Sequence, residues 1–294
     1  MDRKEFFSKL SKLTRLFASD PDLAFRRVGA LFLQLPDQKI IKGKVNGINF
    51  EFDPSLGKEM ARMMYFGAYE VFTIGVLRRL LKPGDTFVDV GANIGYLSAC
   101  AASFVGHSGE VHAFEPVPEI YQRLNRFAQL NPKSKIFTNQ LALGEREGEA
   151  EIGLSSSGNI GQNTMVNGYE QQGIAEEKVA VKVKRLDEYL LTRDIRRVSV
   201  IKIDTEGFEL LVLKGLDRFL EQSRDGKFPA LIVEVSPDAY PLLGRSLNEL
   251  QDFLTQYGYS IQGLKAPGRA IKLSDINEIT DVLCVPQKKW ELDS

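Results

Sequence analysis

The residues best suited to chemistry lie in the stretch TFVDVGANIG, residues 86–95. Asp89, Gly91 and Gly95 form a D-x-G-x-x-x-G pattern, in which an apolar strand should end in a tight turn and lead into a helix. Glycines let the backbone approach a ligand closely, and a helix N-terminus offers unpaired N–H groups to a polar ligand. A second carboxylate, Glu115, ends the next apolar strand, where a nucleotide-like ligand places its ribose hydroxyls. The pattern predicts a nucleoside-binding site at two strand ends.

This turn differs from the G-x-G-x-x-G of dinucleotide sites, because its glycines are spaced for a ligand without a pyrophosphate. An acidic first turn suits a cation, and S-adenosylmethionine (SAM) carries both a sulfonium and an ammonium group. The alternative is an ordinary strand–turn–helix that needs glycine only for close packing. The position of Glu115 favours the cofactor site over this alternative.

The elements that must position these residues follow a regular order from Thr86 onward. The predicted strands are 86–90, 110–114, 135–143, 149–154, 179–184, 198–203, 230–235, 259–264 and 279–285, and the predicted helices are 56–81, 94–105, 118–130, 208–220 and 246–257. Strands 149–154 and 179–184 form a β excursion in this scheme. Alternating apolar strands and helices predict a parallel sheet with helices on both faces. Such sheets bind ligands beyond the carboxyl ends of their strands, where Asp89, Glu115, Asp204 and Glu234 fall.

Composition sets broad limits on function. The chain has 294 residues, of which 43% are hydrophobic and 26% charged, as expected for one large or two small globular domains. Residues 1–44 carry ten Lys and Arg against five Asp and Glu, so the remainder is acidic, which disfavours nucleic-acid binding. Cys100 and Cys284 lie in apolar contexts and predict a reducing compartment. With no long apolar run or signal sequence, we expect a cytoplasmic protein without a transmembrane segment.

The first part of the chain predicts an N-terminal extension of helices and a β-hairpin, residues 1–60, before a domain over 61–294. Residues 5–17 form an amphipathic basic pattern, and a second helix is predicted over 23–34. Packing on the domain or on another copy is favoured over membrane contact. Residues 39–53 predict a hairpin around Asn46-Gly47. The polar loop 155–177 is a candidate lid.

Four segments in this order resemble the FkbM-type SAM-dependent methyltransferases: VDVGANIG, AFEP, RLDEYL and IKIDTEGFELLVLKG. The resemblance spans residues 69–235, and the KIDTEGFE block is its most specific part. It implies a Rossmann-like, seven-stranded class I methyltransferase sheet with SAM as cofactor. It also implies methyl transfer, usually to a hydroxyl oxygen.

The resemblance also implies roles for single residues. The residues that it assigns to the methionine part of SAM are Asp89, Gly91, Asn93 and Gly95. Glu115 would bind the ribose hydroxyls, Pro116 and Val117 would turn the chain under the adenosine, and Ala142 would flank the adenine. Glu70 matches an acidic position that the family often carries before the first core strand.

Methyl transfer from a sulfonium is an in-line displacement, so catalysis depends on holding the nucleophile, methyl group and sulfur in line. An aliphatic alcohol is a poor nucleophile, and a carboxylate near its proton helps. Asp204 is the preferred base, ahead of Glu206, which could instead act as a helix cap. Glu234 ends the neighbouring strand and could orient the acceptor or the SAM ammonium. Glu209 is expected to sit inside the helix.

A divalent metal is the rival mechanism, with Asp204 and Glu234 as oxygen ligands. Metal-dependent catechol-type methyltransferases use an Asp-Asn pair at the second strand end, whereas Val235 follows Glu234 here. The sequence therefore favours a site without a metal.

Two other functions stay open at the level of sequence. One is an NAD-dependent oxidoreductase on a similar sheet, and the other is a catalytically inactive SAM-binding or scaffold protein that docks a partner through residues 1–44. The expected partners of the leading hypothesis are a small-molecule or saccharide hydroxyl acceptor and, through the N-terminal helices, a second copy of the chain in a homodimer.

Overall fold

The computed structural model of the protein describes residues 26, 28–30, 35, 40–155, 164–166, 174–223 and 228–287. The helix predicted over 5–17 lies outside these residues. Of the helix predicted over 23–34, residues 26 and 28–30 are described, and they are helical.

The first strands of the described chain form a two-stranded hairpin, β1 (Ile41–Val45) and β2 (Ile48–Phe52). Asn46 and Gly47 connect the strands with φ values of 49° and 91°. Two successive left-handed residues define the tight hairpin turn that Asn-Gly favours, so this prediction is confirmed. Phe50 is buried, with its ring 5.8 Å from that of Tyr96 and 5.6 Å from that of Phe127. The hairpin therefore packs directly on the α/β core.

Strands and helices alternate through the rest of the chain. The helices are α1 (Lys58–Tyr65), α2 (Val71–Leu80), α3 (Tyr96–Val105), α4 (Pro118–Gln129), α5 (Leu186–Thr192), α6 (Glu209–Lys214), α7 (Asp217–Gln222), α8 (Ala239–Leu242) and α9 (Leu247–Gln256). The strands are β3 (Thr86–Val90), β4 (Glu110–Phe114), β5 (Lys135–Asn139), β6 (Ala142–Leu143), β7 (Gly148–Ser155), β8 (Ile174–Lys184), β9 (Val200–Ile203), β10 (Ala230–Val235), β11 (Tyr259–Gly263), β12 (Ala266–Ala270) and β13 (Thr280–Pro286).

The main sheet has the strand order β12-β11-β13-β10-β9-β3-β4-β5. The five central strands from β10 to β5 are parallel, and β13 is antiparallel to both of its neighbours. Seven of these strands form the predicted seven-stranded methyltransferase sheet, and β12 extends it at one edge. The predicted β excursion is confirmed as a separate sheet of order β6-β8-β7.

Both faces of the main sheet are covered by apolar side chains. Because successive side chains point to opposite faces of a strand, Phe87 joins one buried cluster while its neighbour Val88 joins the other. Both side chains are fully buried. The near-continuous apolar sequence of β3 is therefore what a two-sided parallel sheet requires.

Three predicted elements are divided in the structure. The helix predicted over 56–81 is broken between α1 and α2, where Gly67 and Glu70 have left-handed φ values of 65° and 50°. The helix predicted over 208–220 is split at Gly215, whose backbone lies so close to Gly144 that a side chain there would be 2.1 Å from the Gly144 carbonyl oxygen. The strand predicted over 135–143 ends at Asn139, and its last residues join the small sheet as β6. Local sequence did not show these long-range contacts.

Within the described part of the chain, every helix is too short or too polar to cross a lipid bilayer.

Candidate active site

A cavity of about 290 Å³ opens at the carboxyl ends of β3, β4, β9 and β10. The predicted site residues that line it are Glu70, Asp89, Gly91, Asn93, Glu115, Pro116, Ala142, Asp204, Glu206 and Glu234. Gly95 is the predicted site residue that does not line it. The fold thus brings segments separated by more than 100 residues of sequence to one site, as parallel strands with aligned ends must do.

The glycine turn after β3 ties three strand ends together. The N–H groups of Gly91 and Ala92 both donate to the Phe114 carbonyl oxygen, at 3.0 and 2.9 Å. Gly91 has a φ of 78°, and a Cβ atom there would lie 1.7 Å from the Asp204 carbonyl oxygen. This position requires glycine because the end of β9 passes directly against it.

Gly95 has a different task from Gly91. A Cβ atom at Gly95 would lie 2.7 Å from the Phe127 ring and 2.9 Å from Leu124, both in α4. Gly95 therefore allows α4 to pack against the start of α3. The contacts of Gly95 therefore agree with the alternative given for the turn, in which glycine serves close packing.

The Glu115 carboxylate is held by the backbone on both oxygens. The Asn93 N–H donates to Oε2 at 3.1 Å, and the Val117 N–H donates to Oε1 at 2.9 Å. The residue is only 6% exposed. Burial raises the pKa of Glu115 to about 7, and the two N–H donors oppose the shift. A carboxylate has about four acceptor sites, so Glu115 keeps acceptor capacity for ligand hydroxyls.

Asp89 lies beneath the turn and is 1% exposed. The Ser98 hydroxyl of α3 donates to its Oδ2 atom at 2.6 Å. Burial raises the pKa of Asp89 above its ordinary value, while Lys202 and Ser98 oppose the shift. The carboxylate is thus fixed in orientation at the cavity wall.

Lys202 is a site residue that the sequence analysis did not identify. It is 3% exposed, and its Nζ atom donates to Asp204 Oδ2 at 2.5 Å. Burial by itself lowers the pKa of Lys202, but nearby carboxylates, Asp204 first, raise it well above its ordinary value. A lysine inside the apolar strand VIKI was the available sequence signal, because an unpaired charge is not tolerated there.

Another side of the cavity is formed by three carboxylates, Asp204, Glu206 and Glu234. One oxygen of each lies within 4.8 Å of the others. Burial, then the nearby Asp204, raises the pKa of Glu206 to about 8. The same two causes raise the pKa of Glu234 well above its ordinary value. Carboxylates at this spacing repel one another when ionised.

Glu209 supports the loop that presents Glu206. Its buried carboxylate accepts from the Gly207 N–H at 2.8 Å and from the Thr205 N–H at 3.3 Å. Tyr240 also donates to it, at 3.4 Å. Glu209 is the first residue of α6 rather than an interior one. Its contacts fix the backbone of the loop, as expected of a structural residue.

Part of the predicted lid reaches this loop. The Thr164 hydroxyl donates to the Glu206 carbonyl oxygen at 2.7 Å, and Met165 lines the cavity. Most of the 155–177 loop lies outside the described residues, so its role as a lid stays a prediction.

The remaining wall comes from the start of α2. Glu70 has a left-handed φ of 50°, and its carboxylate accepts from the Thr73 hydroxyl at 2.6 Å. Tyr69, which the sequence analysis also did not identify, lines the cavity. Burial, then the charge of Glu70, raises the pKa of Tyr69 and keeps its hydroxyl protonated. Both residues owe their position to the break between α1 and α2.

The fold and the cavity define a class I methyltransferase architecture, and comparison with known proteins identifies the family. Residues 89–261 match the Methyltransferase FkbM domain. The chain therefore belongs to the FkbM methyltransferase family. This membership disfavours the alternative of an NAD-dependent oxidoreductase.

Three relatives show how far the similarity extends. "Methyltransferase 1" of Beauveria bassiana is 29% identical over 46% of this chain and 60% of its own length. The hexuronic acid methyltransferase AglP of Haloferax volcanii is 31% identical over 50% of this chain and 57% of its own. The 31-O-demethyl-FK506 methyltransferase FkbM of Streptomyces tacrolimicus is 24% identical over 64% and 77%. The chain thus spans less than two thirds of the length of the first two.

Proposed function

We propose that the protein transfers a methyl group from SAM to a hydroxyl oxygen of a small molecule or a sugar. The observation that carries this proposal is the meeting of Glu115, the Asp89–Gly91 turn and the Asp204, Glu206 and Glu234 carboxylates in one cavity. Family membership supports methyl transfer, and the names of AglP and FkbM point to a uronic acid and a hydroxyl oxygen as acceptors in those relatives.

The cofactor side of the cavity suits an adenosyl ligand. Glu115 would accept hydrogen bonds from the ribose hydroxyls, with Pro116 and Ala142 beside the adenosine. Asn93, Gly91 and Asp89 would surround the methionine part, and Glu70 adds negative charge facing a cationic ligand. When bound, SAM supplies an electrophilic methyl group on a sulfonium.

The other side of the cavity suits an acceptor hydroxyl. Asp204 is oriented by Lys202 at 2.5 Å and is the proposed proton acceptor. Glu206 and Glu234 lie beside Asp204 and would orient the acceptor hydroxyl or take up its proton in place of Asp204. The cavity is also lined by apolar side chains, which would limit the access of water: Met60, Met64, Ile152, Met165 and Ile279.

Titration calorimetry with S-adenosylhomocysteine tests cofactor binding. The reaction is tested by measuring transfer of a radiolabelled methyl group from SAM to a panel of sugars, uronic acids and hydroxylated small molecules. We expect binding in the micromolar range and transfer to at least one hydroxylated acceptor. Absence of binding at millimolar concentration contradicts the proposal. Binding without transfer to any acceptor on the panel would favour the inactive SAM-binding protein instead.

The division into residues 1–60 and 61–294, the homodimer, the cytoplasmic location and the absence of nucleic-acid partners stay predictions. Size-exclusion chromatography with light scattering tests the dimer directly.

A further inference from the structure

Glu234, on the acceptor side, differs in its hydrogen bonding from the acidic groups of the cavity that have donors. Glu115 accepts two backbone N–H donors, Asp89 accepts from Ser98, and Glu70 accepts from Thr73. Among the described residues, by contrast, Glu234 Oε2 is a buried oxygen without a hydrogen-bond donor. A buried polar atom without a partner costs about 1–3 kcal/mol, and more when it is charged. Such an atom beside two further carboxylates points to a missing positively charged partner.

The charged residues around the cavity also favour a bound cation. The described residues that line it include six carboxylic acids and one lysine, Lys202. Lys202 is committed to Asp204 Oδ2. SAM carries one net positive charge, which is too little to balance all six acidic groups when they are ionised. A site this acidic is suited to a second cation.

We propose that Asp204, Glu206 and Glu234 together bind a divalent cation beside the acceptor hydroxyl. The ligands are all carboxylate oxygens, which hard ions such as Mg²⁺, Mn²⁺ and Ca²⁺ prefer. Val235 follows Glu234, so the Asp-Asn pair of the catechol-type enzymes is absent. Glu206, from the loop after β9, would provide a third carboxylate ligand instead.

The spacing is close to what such an ion requires. One oxygen of each residue lies within 4.8 Å of the others. Three oxygens spread evenly around one Ca²⁺ at about 2.3–2.6 Å are at most about 4.0–4.5 Å apart, so a small approach of the side chains would complete the site. Lys202 donates to Oδ2 of Asp204, and a carboxylate has about four acceptor sites, so Asp204 keeps capacity for a metal.

This inference rests on the proposed function and gives the acceptor carboxylates a specific role. A divalent cation polarises a coordinated hydroxyl and lowers its pKa. The proton can then leave to solvent or to a neighbouring base, and the oxygen attacks the methyl carbon while the carbon–sulfur bond breaks. In this form of the proposal the cation takes over from Asp204 the task of favouring loss of the hydroxyl proton, while methyl transfer from SAM to a hydroxyl oxygen is unchanged.

The test is to titrate Mn²⁺ into the metal-stripped full chain in the absence of acceptor. Electron paramagnetic resonance measures the remaining free ion, and calorimetry measures the heat of binding. We expect a dissociation constant of about 10⁻⁴ M or tighter. Glu234→Gln and Glu206→Gln should each weaken binding at least about tenfold, because each removes one charged ligand. Circular dichroism establishes that each variant is folded, and either variant alone is sufficient if the other does not fold.

The matched control is Glu221→Gln, which neutralises an exposed acid on α7 and should leave Mn²⁺ binding unchanged. Lack of saturable binding at 10 mM Mn²⁺, on the order of ten times the weakest specific sites, overturns the inference. So does equal affinity in wild type and in both site variants.

Calorimetry with S-adenosylhomocysteine in EDTA separates this inference from the proposed function. Cofactor binding without Mn²⁺ binding would leave the proposed function intact and remove the metal. Mn²⁺ binding without cofactor binding would leave the metal site and remove the proposed function. Competition between the two ligands would assign the carboxylates to the cofactor's ammonium group and overturn the metal site.

Discussion

The two sides of the cavity satisfy their charges in opposite ways. On the cofactor side, Glu115 and Asp89 are fixed by donors from their own neighbourhood, the backbone of the two turns and the Ser98 hydroxyl. On the acceptor side, Asp204, Glu206 and Glu234 lie close together, and Glu234 Oε2 is buried without a donor. The first arrangement is preorganised in the protein alone, whereas the second is completed by a ligand or by protons.

This difference has a consequence for stability. Buried polar groups that have hydrogen-bond partners within the folded protein destabilise it little when no ligand is bound. Carboxylates that repel one another destabilise the fold, and binding sites retain such groups because they interact with ligands. We therefore expect substitutions on the cofactor side to affect binding or folding, and those on the acceptor side to affect turnover while leaving the fold intact or more stable.

The largest effect is expected at Gly91, where the two sides meet. Gly91→Ala should lower the free energy of unfolding by about 3–5 kcal/mol, because the new Cβ atom would overlap the Asp204 carbonyl oxygen and the left-handed φ is unfavourable for alanine. Denaturant unfolding followed by circular dichroism measures this. Gly258→Ala is the control, since Gly258 has a φ of 75°, close to that of Gly91, and open space around it. Equal losses in the two variants would show that contact between the strand ends is unimportant.

Asp204→Asn should reduce kcat about 10³-fold, because the acceptor side loses a charge that either takes the proton or binds the cation. Binding of S-adenosylhomocysteine should change little, since the paired groups of the cofactor side stay in place. Steady-state kinetics and calorimetry measure the two quantities separately. The control Asp194→Asn removes an exposed carboxylate paired with Arg196. A rise in KM at unchanged kcat would argue against a role for Asp204 in the chemical step.

Glu115→Gln should weaken S-adenosylhomocysteine binding about 10- to 100-fold, the loss expected for hydrogen bonds to a charged acceptor. The amide keeps the shape of the carboxylate, but its NH2 group cannot accept one of the two backbone N–H donors, so circular dichroism is needed to establish that the variant is folded. Glu110→Gln, at the opposite end of β4, is the matched control and should bind normally. If the Glu115 variant binds as tightly as wild type in calorimetry, the ribose is not held there.

The smallest effect is a gain in stability for Glu206→Gln at high pH. The pKa of Glu206 is raised from 4.5 to about 8 by burial and by Asp204, so the folded protein holds this proton more tightly than the unfolded chain. The corresponding stabilisation is fully present below pH 4.5 and is lost as the pH rises to about 8. Glu206→Gln cannot ionise at this position, so it does not lose this stability as the pH rises.

In EDTA at pH 8.5, Glu206→Gln should therefore be about 1–2 kcal/mol more stable than wild type, with little difference near pH 4.5. Denaturant unfolding at the two pH values provides the comparison. A variant that is less stable at both would show that Glu206 is favourably paired in the folded protein.

The sequence predicted the elements that local pattern determines and missed those that depend on tertiary packing. The boundaries of β3, β4 and β10 were predicted residue for residue, because buried parallel strands are short apolar runs bounded by turns. The helix predicted over 56–81 was wrong in its middle, since the break at Gly67–Glu70 depends on packing. That break places Tyr69 in the cavity wall, so Tyr69 was missed with it. Lys202 was missed because a single lysine in a strand has no pattern of its own.

By itself, the sequence determined the order of strands and helices, the acidic strand ends and the family. These are properties of local periodicity and of short motifs. Only the tertiary structure separated Gly91 from Gly95, because the two glycines differ in which distant backbone or side chain fills the space beside them. It alone brought Glu206 beside Glu234 and left Glu234 Oε2 without a donor, since both depend on the meeting of β9 and β10 in the folded sheet.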